Sequence, residues 1–99
     1  MNECLFCNRA KLGKVLYEDD FAYVIADIHP AAPVHLLIIT KIHYKSLNEM
    51  PVLQGNNFFT TLSNVVNTFS LSNYSIIINT GLKAGQIINH IHMHVKSWN

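Results

Sequence analysis

In the first half of the chain, apolar residues occur in short runs of β-strand length. Two such runs, Lys14–Tyr17 and Phe21–Ala26, are separated by the polar residues 18–20. This arrangement predicts a β-hairpin, because polar residues with short side chains favour a tight turn. Two prolines then interrupt the chain before a third apolar run, His35–Thr40, which predicts a third strand.

The second half changes to the spacing of a helix. Apolar residues recur every three or four positions through Phe58–Phe69, with polar residues between them, and predict one amphipathic helix. Ser46–Glu49 has the spacing of a capping box, and Pro51 suits the first turn of a helix. Beyond the long helix, Tyr74–Asn79 and Ile87–Lys96 predict a fourth and a fifth strand.

Composition limits what kind of protein this is. The chain has 99 residues, the size of one domain, so we expect a single domain over residues 1–99. Apolar residues make up 49% and charged residues only 13%, which excludes a disordered charged tail and indicates a packed core. A formal net charge of +1 supplies no basic surface, so extended DNA or RNA is not an expected partner.

The chain carries no sequence signal for a membrane or for export. No apolar run reaches the roughly 18 residues of a membrane span. Met1–Cys4 lacks the basic and apolar regions of a secretion signal, so we expect a cytoplasmic protein. Cys4 and Cys7 form a CxxC pair, which is too few cysteines for a secreted disulfide scaffold and is typical of either redox chemistry or metal binding.

Three alternating histidines are the most informative feature. If residues 90–94 form a strand, His90, His92 and His94 lie on one face at steps of about 7 Å, opposite an apolar face. All three cannot reach one zinc ion, whose ligands lie at about 2.0–2.3 Å, although one or two can do so with ligands from elsewhere. Three neighbouring imidazoles destabilise a fold unless chemistry or metal binding requires them.

A glycine-containing loop, Asn79–Gln86, comes just before these histidines. Glycines allow backbone N–H groups to approach an anion closely, so the loop is a weak indication of an anion site. The same composition is also found in ordinary loops between strands.

Taken together, these residues resemble those of a known family. Gly85–Val95, in which Gln86 stands four residues before the first of three alternating histidines, closely resembles the signature of the histidine-triad (HIT) family, in particular its Hint-like nucleotide hydrolases. Asp27–His43 resembles the upstream block of that family, and Cys4–Cys7 resembles the amino terminus of its zinc-containing members. The resemblance implies an α+β, HIT-like fold of about five antiparallel strands with one long and one short helix.

The resemblance also implies an activity. Members of the family bind a purine nucleoside monophosphate unit and cleave what is attached to its α-phosphate, with the middle histidine, here His92, as the nucleophile. The other positions that match catalytic or phosphate-binding residues are Gln86, His94, His35, Asn79 and Gly85. Asp27 matches the carboxylate that binds the ribose hydroxyls. The apolar wall around the base corresponds to Leu5, Phe6 and Ile28.

Zinc and a partner subunit are implied in the same way. In members with the amino-terminal CxxC, a structural zinc ion is held by residues that match Cys4, Cys7, His43 and His90. Four ligands of the types Cys₂His₂ are the expected set for a closed structural site. The family usually forms homodimers, so a homodimer is the expected assembly.

One departure from the family pattern leaves a second function open. Ile87 stands where Hint-like members commonly have a serine hydroxyl near the scissile bond. The leading hypothesis is a nucleotide hydrolase or phosphoramidase, and the alternative is a zinc-stabilised nucleotide-binding module with little turnover. A CxxC redox protein is a third hypothesis, although the pair does not stand at the start of a helix after a strand, where redox pairs are found.

Overall fold

The computed structural model describes residues 4–99, which form one antiparallel sheet and one long helix. The strands are β1 (Tyr17–Glu18), β2 (Ala22–Ala26), β3 (Val34–Thr40), β4 (Tyr74–Ile77) and β5 (His92–Ser97), in the order β1-β2-β3-β5-β4. The helix α1 spans Val52–Thr68. Short 3₁₀ turns lie at Leu5–Cys7, Arg9–Lys11, Leu47–Glu49 and Leu82–Ala84. This architecture confirms the predicted fold class.

The two faces of the sheet carry different layers. Helix α1 packs on the face that presents alternate residues of the central strands, including Ile38 and Met93. The opposite face carries a smaller apolar cluster beneath the amino-terminal segment, formed by Phe6, Tyr23, Ile25, Leu37 and Ile39. Period-two alternation of the strands produces both layers, since successive side chains point to opposite faces. No helix within residues 4–99 is long and apolar enough to cross a membrane.

The predicted hairpin is present, with a short first strand. Tyr17 and Glu18 pair with β2, and the N–H of Leu16 extends the ladder by donating to the carbonyl of Val24 at 2.8 Å. Asp19 forms the turn, because its Oδ1 accepts the N–H groups of Phe21 and Ala22 at 2.9 and 2.8 Å. An acidic side chain that satisfies two turn amides is a typical stabilising feature of such turns.

Helix α1 is longer than predicted, and the capping box before it does not form. The helix begins at Val52, directly after Pro51, and ends where Ser70 adopts a positive φ of 53°. Ser46 makes no side-chain cap hydrogen bond, and the Glu49 carboxylate instead accepts the N–H of Lys45 at 2.7 Å. The segment therefore forms a single 3₁₀ turn.

Strand β5 is shorter than predicted, and this difference rearranges the histidines. It was expected over Ile87–Lys96 but begins only at His92. The N–H of Ile91 donates to the carbonyl of Tyr44 at 2.7 Å instead of joining the sheet. The His90 side chain therefore does not share the strand face of the two histidines that follow it.

The amino-terminal segment is fastened to the sheet by polar contacts. Arg9 makes a bidentate pair with Glu18 at 2.7 and 2.9 Å, and Lys41 contacts the same carboxylate at 2.7 Å. These hydrogen bonds, that from Arg9 first, lower the pKa of Glu18 to about 2. The Arg9 guanidinium also lies 4.7 Å from the ring centre of Tyr23, whose hydroxyl donates to the carbonyl of Phe6. Burial raises the pKa of Tyr23 to about 12, so this hydroxyl keeps its proton.

Candidate functional site

Two of the three alternating histidines lie side by side on the face of the sheet that the helix does not cover. His92 and His94 pair with Ile39 and Leu37 of β3, and their ring centres are 5.0 Å apart. Met93, between them, points into the helix-side core. The alternation expected for the row is therefore present at these two residues and absent at His90.

A backbone carbonyl determines which nitrogen of His92 carries the proton. Nδ1 of His92 lies 2.8 Å from the carbonyl oxygen of His90. A carbonyl can only accept a hydrogen bond, so Nδ1 must be the protonated, donating nitrogen. Within residues 4–99, Nε2 of this ring has no hydrogen-bond partner. Its lone pair is therefore not used in a hydrogen bond among these residues, and the side chain is 7% exposed.

His35 and His94 form a directed chain of hydrogen bonds. The N–H of Ala31 donates to Nδ1 of His35 at 3.0 Å, which leaves the proton of a neutral His35 ring on Nε2. That nitrogen lies 3.0 Å from Nδ1 of His94. The contact therefore runs from His35 to His94, and a neutral His94 carries its own proton on Nε2.

Burial keeps both of these rings neutral. Desolvation, reinforced by neighbouring His92 and His35, lowers the pKa of His94 to about 4. Desolvation also lowers the pKa of His35, although the nearby Asp27 carboxylate opposes the shift. At pH 7 the site thus presents imidazoles, and these serve as hydrogen-bond donors and lone-pair donors.

Asp27 lies at the edge of this chain. Its Oδ1 accepts the N–H of His29 at 2.8 Å, and its Oδ2 lies 3.4 Å from Nε2 of His35 and 4.0 Å from Nδ1 of His94. The three side chains could in principle hold a cation, since their polar atoms lie within 4.8 Å of one another. However, a cation would have to bind Nε2 of His35. Because Ala31 donates to Nδ1, Nε2 carries the proton of the neutral ring and has no lone pair to offer. The geometry favours a hydrogen-bond network here.

Gln86 organises the loop that precedes the histidines. Its side chain is buried, and its Oε1 accepts the N–H of Gly81 at 2.9 Å. Its Nε2 donates to the carbonyls of Lys45 and Ile88 at 2.6 and 3.2 Å. Both amide hydrogens are therefore used within the protein, and the side chain joins three separate backbone segments.

The two glycines of the loop have backbone conformations that favour glycine. Gly81 has φ of 92° and Gly85 has φ of 98°, a region that L side chains rarely adopt. Asn79 lies beside Gly85, because a Cβ at that glycine would be 3.6 Å from the Asn79 side-chain nitrogen. Asn79 and Gly85 are thus adjacent, as a shared binding role requires.

The three residues expected to form an apolar wall differ in exposure and in surroundings. Phe6 is only 3% exposed and lies in the cluster under the amino-terminal segment. Ile28 is 84% exposed and lies next to Asp27 in the chain, outside that cluster. Leu5 is 44% exposed and lines a groove of about 510 Å³. The other residues that line this groove are Cys4, Cys7, His43, Lys45, Ile87, Ile88 and Asn89.

The four residues expected to hold a metal do come together. Sγ of Cys4 lies 3.3 Å from Nδ1 of His90, and Sγ of Cys7 lies 3.1 Å from Nδ1 of His43 and 3.5 Å from Nδ1 of His90. One ligand atom from each of the four lies within 4.8 Å of the others. Both cysteines are free thiols, so the pair forms no disulfide. We call these four residues the metal cluster.

The spacing of these atoms fits zinc. Two ligands of a tetrahedral ion, with zinc–sulfur and zinc–nitrogen bonds of about 2.3 and 2.0–2.1 Å, lie about 3.5 Å apart. The observed sulfur–nitrogen distances of 3.1–3.5 Å are close to that value. Without an ion, burial and the neighbouring Cys4 raise the pKa of the Cys7 thiol. Metal binding must therefore displace a proton from this thiol.

A residue that sequence reasoning did not identify orients the buried ligand. The carbonyl of Thr40 lies 2.8 Å from Nε2 of His90, so that nitrogen donates and Nδ1 is left as the ligand atom. Histidine ligands commonly use a carbonyl in this way. The Thr40 hydroxyl also lies 3.2 Å from the same nitrogen. Thr40 stands three residues before His43 in the chain, and this was the only signal available from the sequence.

The sequence matches the HIT domain family over residues 8–97. This chain belongs to the HIT family. The HIT family hydrolase of Clostridium thermocellum is 31% identical to it and has the same fold, with a TM-score of 0.88 over 100% of this chain and 93% of that protein. The histidine triad nucleotide-binding protein of Candida albicans is 26% identical, with a TM-score of 0.84 over 94% of this chain and 73% of that protein.

A plant HIT protein is also similar. The adenylylsulfatase HINT3 of Arabidopsis thaliana is 35% identical over 95% of this chain. The match covers 51% of the length of HINT3, so this chain spans about half of that relative. These comparisons support a HIT hydrolase and nucleotide-binding fold for the chain.

Proposed function

We propose that this HIT protein hydrolyses a bond at the α-phosphate of a purine nucleoside monophosphate conjugate, through a covalent nucleotidyl-histidine. The observation that carries the proposal is the Nε2 lone pair of His92, on the sheet face that α1 does not cover, with the ring proton held on Nδ1 by a carbonyl. A neutral imidazole with a fixed tautomer is a competent nucleophile at pH 7. The hydrolase and nucleotide-binding relatives support the same reaction class.

In the first step, Nε2 of His92 forms a bond to the α-phosphorus while the bond from phosphorus to the leaving group breaks. The leaving group departs with the bonding electron pair and takes up one proton. Positive charge that develops on the His92 ring is stabilised by its Nδ1–H bond to the His90 carbonyl. The product of this step is a nucleotidyl-His92 adduct and a protonated leaving group.

In the second step, water replaces the histidine. The water oxygen bonds to phosphorus, the nitrogen–phosphorus bond breaks, and its electron pair returns to Nε2 of His92. One proton of the water is released and balances the proton taken up by the leaving group. The nucleoside monophosphate then leaves, and the neutral imidazole is restored.

Neighbouring side chains stabilise the charge on the phosphate. The Nε2–H of neutral His94 is the donor that faces the equatorial oxygens, and His35 fixes its tautomer. Asn79 and Gly85, which lie side by side, contribute further donors to the phosphate. Gln86 acts by holding the Gly81–Gly85 loop in place, since its own amide hydrogens are occupied.

The nucleoside is held by the neighbouring edge of the site. Asp27 accepts the ribose hydroxyls through the carboxylate oxygen that faces His35. Leu5 and Ile28 offer exposed apolar surface for the purine base, whereas Phe6 is buried. We therefore propose the two exposed residues as base contacts.

The metal cluster has a structural role in this proposal. Zinc bound by Cys4, Cys7, His43 and His90 would join the amino-terminal segment to the approach to β5, and it supplies no group to the reaction. We further propose that residues 1–99 form one domain, that the protein assembles as a homodimer and that it acts in the cytoplasm. The homodimer is supported by exposed apolar residues on one face of α1, such as Val52 and Phe59.

Release of a fluorescent amine from adenosine 5′-phosphoramidate tests the reaction. The wild-type protein should turn over this substrate, and His92→Asn at equal zinc content should lose at least about 10³-fold in kcat. His29→Asn is the matched control, because His29 is an exposed histidine of the turn before β3 and should keep full activity. Quenching of a single turnover with denaturant at alkaline pH, where a phosphorus–nitrogen bond to imidazole is stable, should leave a nucleotidyl adduct that mass spectrometry detects in wild type alone.

Other outcomes point elsewhere. If neither protein turns over substrate while both bind AMP tightly, the chain is a nucleotide-binding module, and Ile87→Ser becomes the variant with which to restore turnover. Turnover that persists in His92→Asn would show that another group is the nucleophile. A guanosine phosphoramidate that reacts as fast as the adenosine compound, with a pyrimidine compound that reacts slowly, supports purine selectivity without preference for adenine.

A further inference from the structure

Phe6 lies between the two cysteines of the metal cluster and against His92. It is the middle residue of the 3₁₀ turn Leu5–Cys7, with Cys7 directly after it and Cys4 two positions before it. Its ring centre is 4.9 Å from that of His92 and 6.1 Å from that of His90, with interplanar angles of 79° and 80°. Such edge-to-face contacts are favourable and directional.

The backbone of Phe6 also has a fixed partner in the sheet. Its carbonyl accepts the hydroxyl hydrogen of Tyr23, a fully buried residue of β2. Arg9 covers the Tyr23 ring and is paired with Glu18 of β1. The turn is therefore anchored to the sheet on one side and to the metal cluster on the other.

A buried ring cannot stack on a nucleobase. Phe6 is 3% exposed, and it packs with Tyr23, Ile25, Leu37 and Ile39 in the cluster under the amino-terminal segment. A base would need an open ring face, and this side chain presents none. The contact it does make is with the ring that carries the nucleophilic nitrogen.

We propose that Phe6 is a positioning residue, which links the metal cluster to the orientation of the His92 ring. This inference rests on the function proposed above. Among residues 4–99, the His92 ring makes one hydrogen bond, from Nδ1 to the His90 carbonyl, and Phe6 packs against the ring as a second constraint. Loss of that constraint allows the ring to rotate out of line with phosphorus, and a small misplacement of a reacting atom costs up to about 100-fold in rate.

Phe6→Leu tests the proposal against the alternative of a base contact. The substitution keeps an apolar side chain in the cluster and removes the aromatic edge. We expect kcat to fall at least about 10-fold while the Kd for AMP stays within about 2-fold and one zinc per chain is retained. A Kd that rises about 10-fold with kcat unchanged would overturn the proposal and identify Phe6 as a base contact.

Phe58→Leu is the matched control for lost packing. Phe58 is equally buried, but it lies in the helix-side core, on the other face of the sheet. Both variants should lose similar thermal stability, and only Phe6→Leu should lose turnover. Equal loss of kcat in the two variants would show that general destabilisation, and not positioning, explains the effect.

A double cycle tests the link to the metal. Cys7→Ser should lower kcat by about the same factor as Phe6→Leu, and the combined variant should be little worse than either alone. Multiplicative effects in the combined variant would refute the coupling. If Cys7→Ser fails to fold, exchange of bound zinc for cadmium, whose bonds to sulfur are longer, provides the perturbation in its place.

A readout independent of turnover separates this inference from the proposed function. In NMR spectra of the zinc-loaded protein, the ring protons of Phe6 and His92 should show direct cross-relaxation, and Phe6→Leu should broaden the His92 ring signals. This result is expected even if the wild type proves to be a binding module without turnover. Sharp, unshifted His92 signals in Phe6→Leu would overturn the positioning role in either case.

Discussion

At the scale of single residues, backbone partners distinguish histidines that look identical in the sequence. A carbonyl holds the proton on Nδ1 of His92, and another holds it on Nε2 of His90. An amide N–H does the opposite at His35, because it requires a lone pair on Nδ1. The lone pair therefore lies on Nε2 of His92, which suits nucleophilic attack, and on Nδ1 of His90, which suits metal binding. The proton on Nε2 of His35 fixes the tautomer of His94. Residue type alone does not contain this information.

His94 should make stability depend on pH. Its pKa falls from the usual 6.5 to about 4 in the folded protein, chiefly through desolvation. Between these values the unfolded chain binds more protons, so the folded state is destabilised progressively as pH falls from 6.5 towards 4 and is unaffected above 6.5. The expected loss between pH 7 and pH 5 is about 2 kcal/mol in the free energy of unfolding.

Urea unfolding of wild type and His94→Asn at several pH values measures this effect. Loss of zinc at low pH lowers the free energy of unfolding of both proteins, so it cancels in the difference between the two values. The wild type should lose more stability than the variant between pH 7 and pH 5. Parallel curves would mean that His94 titrates normally in the folded protein.

At the scale of elements, periodicity located the strands but not their ends. The hairpin and the central strand follow from continuous apolar runs, because β2 and β3 are buried on both faces. The helix follows from apolar spacing of three and four residues, because it buries one face. The predicted start of β5 was wrong, because the N–H of Ile91 donates to the carbonyl of Tyr44 and the His90 side chain contacts the cysteines. These partners lie more than 45 residues away in the chain, and no local pattern records them.

Tertiary contacts also separate the residues that were predicted to line the base. Phe6 and Leu5 are neighbours in a 3₁₀ turn, and such a turn points successive side chains in different directions. One becomes buried and the other faces the groove at the metal cluster. The sequence identified both as apolar, but only tertiary contacts decide which of them a ligand can reach.

Removal of the metal should destabilise the amino-terminal segment and the start of β5 together. We expect a chelator to lower the free energy of unfolding by roughly 3–5 kcal/mol, because a structural ion binds the folded state alone. For a domain of this size that corresponds to a fall in Tm of at least about 10 °C. Scanning calorimetry with and without chelator, beside metal analysis of the purified protein, measures both quantities.

Cys7→Ser provides the control for chelation. Its Tm should resemble that of chelated wild type and should not respond to the chelator. A wild-type protein that contains no metal, and whose stability does not change in this variant, would refute the metal assignment. A Tm that responds to dithiol reagents but not to chelators would instead support the redox hypothesis.

At the scale of the whole molecule, the sheet lies between the main apolar core and the candidate functional site. Its helix side is a continuous apolar core, whereas the histidines, Asp27 and the metal cluster belong to the other side or its edges. Composition and period identify the core well, since burial of apolar surface is a collective property. The site depends on a few long-range contacts, and its family signature, more than its physics, made it recognisable.

The proposed homodimer predicts a defined effect of one surface substitution. Val52 and Phe59 are seven residues apart on one face of α1 and are 89% and 70% exposed. Phe59→Glu should shift the protein from dimer to monomer in sedimentation velocity, because a carboxylate in an apolar interface remains unpaired. Leu82→Glu, a change at a similarly exposed loop residue, should leave the dimer intact. A wild type that is monomeric at all concentrations would contradict the proposal.

The metal cluster also has a consequence for synthesis of the protein. Translation makes Cys4 and Cys7 before it makes His90, which follows 83 residues after Cys7. A nascent chain therefore exposes two thiols without their buried partner while those 83 residues are added. During that interval the thiols are open to oxidation and to the wrong metals, so cells that express the protein under oxidative stress should accumulate damage in new chains, not in mature ones.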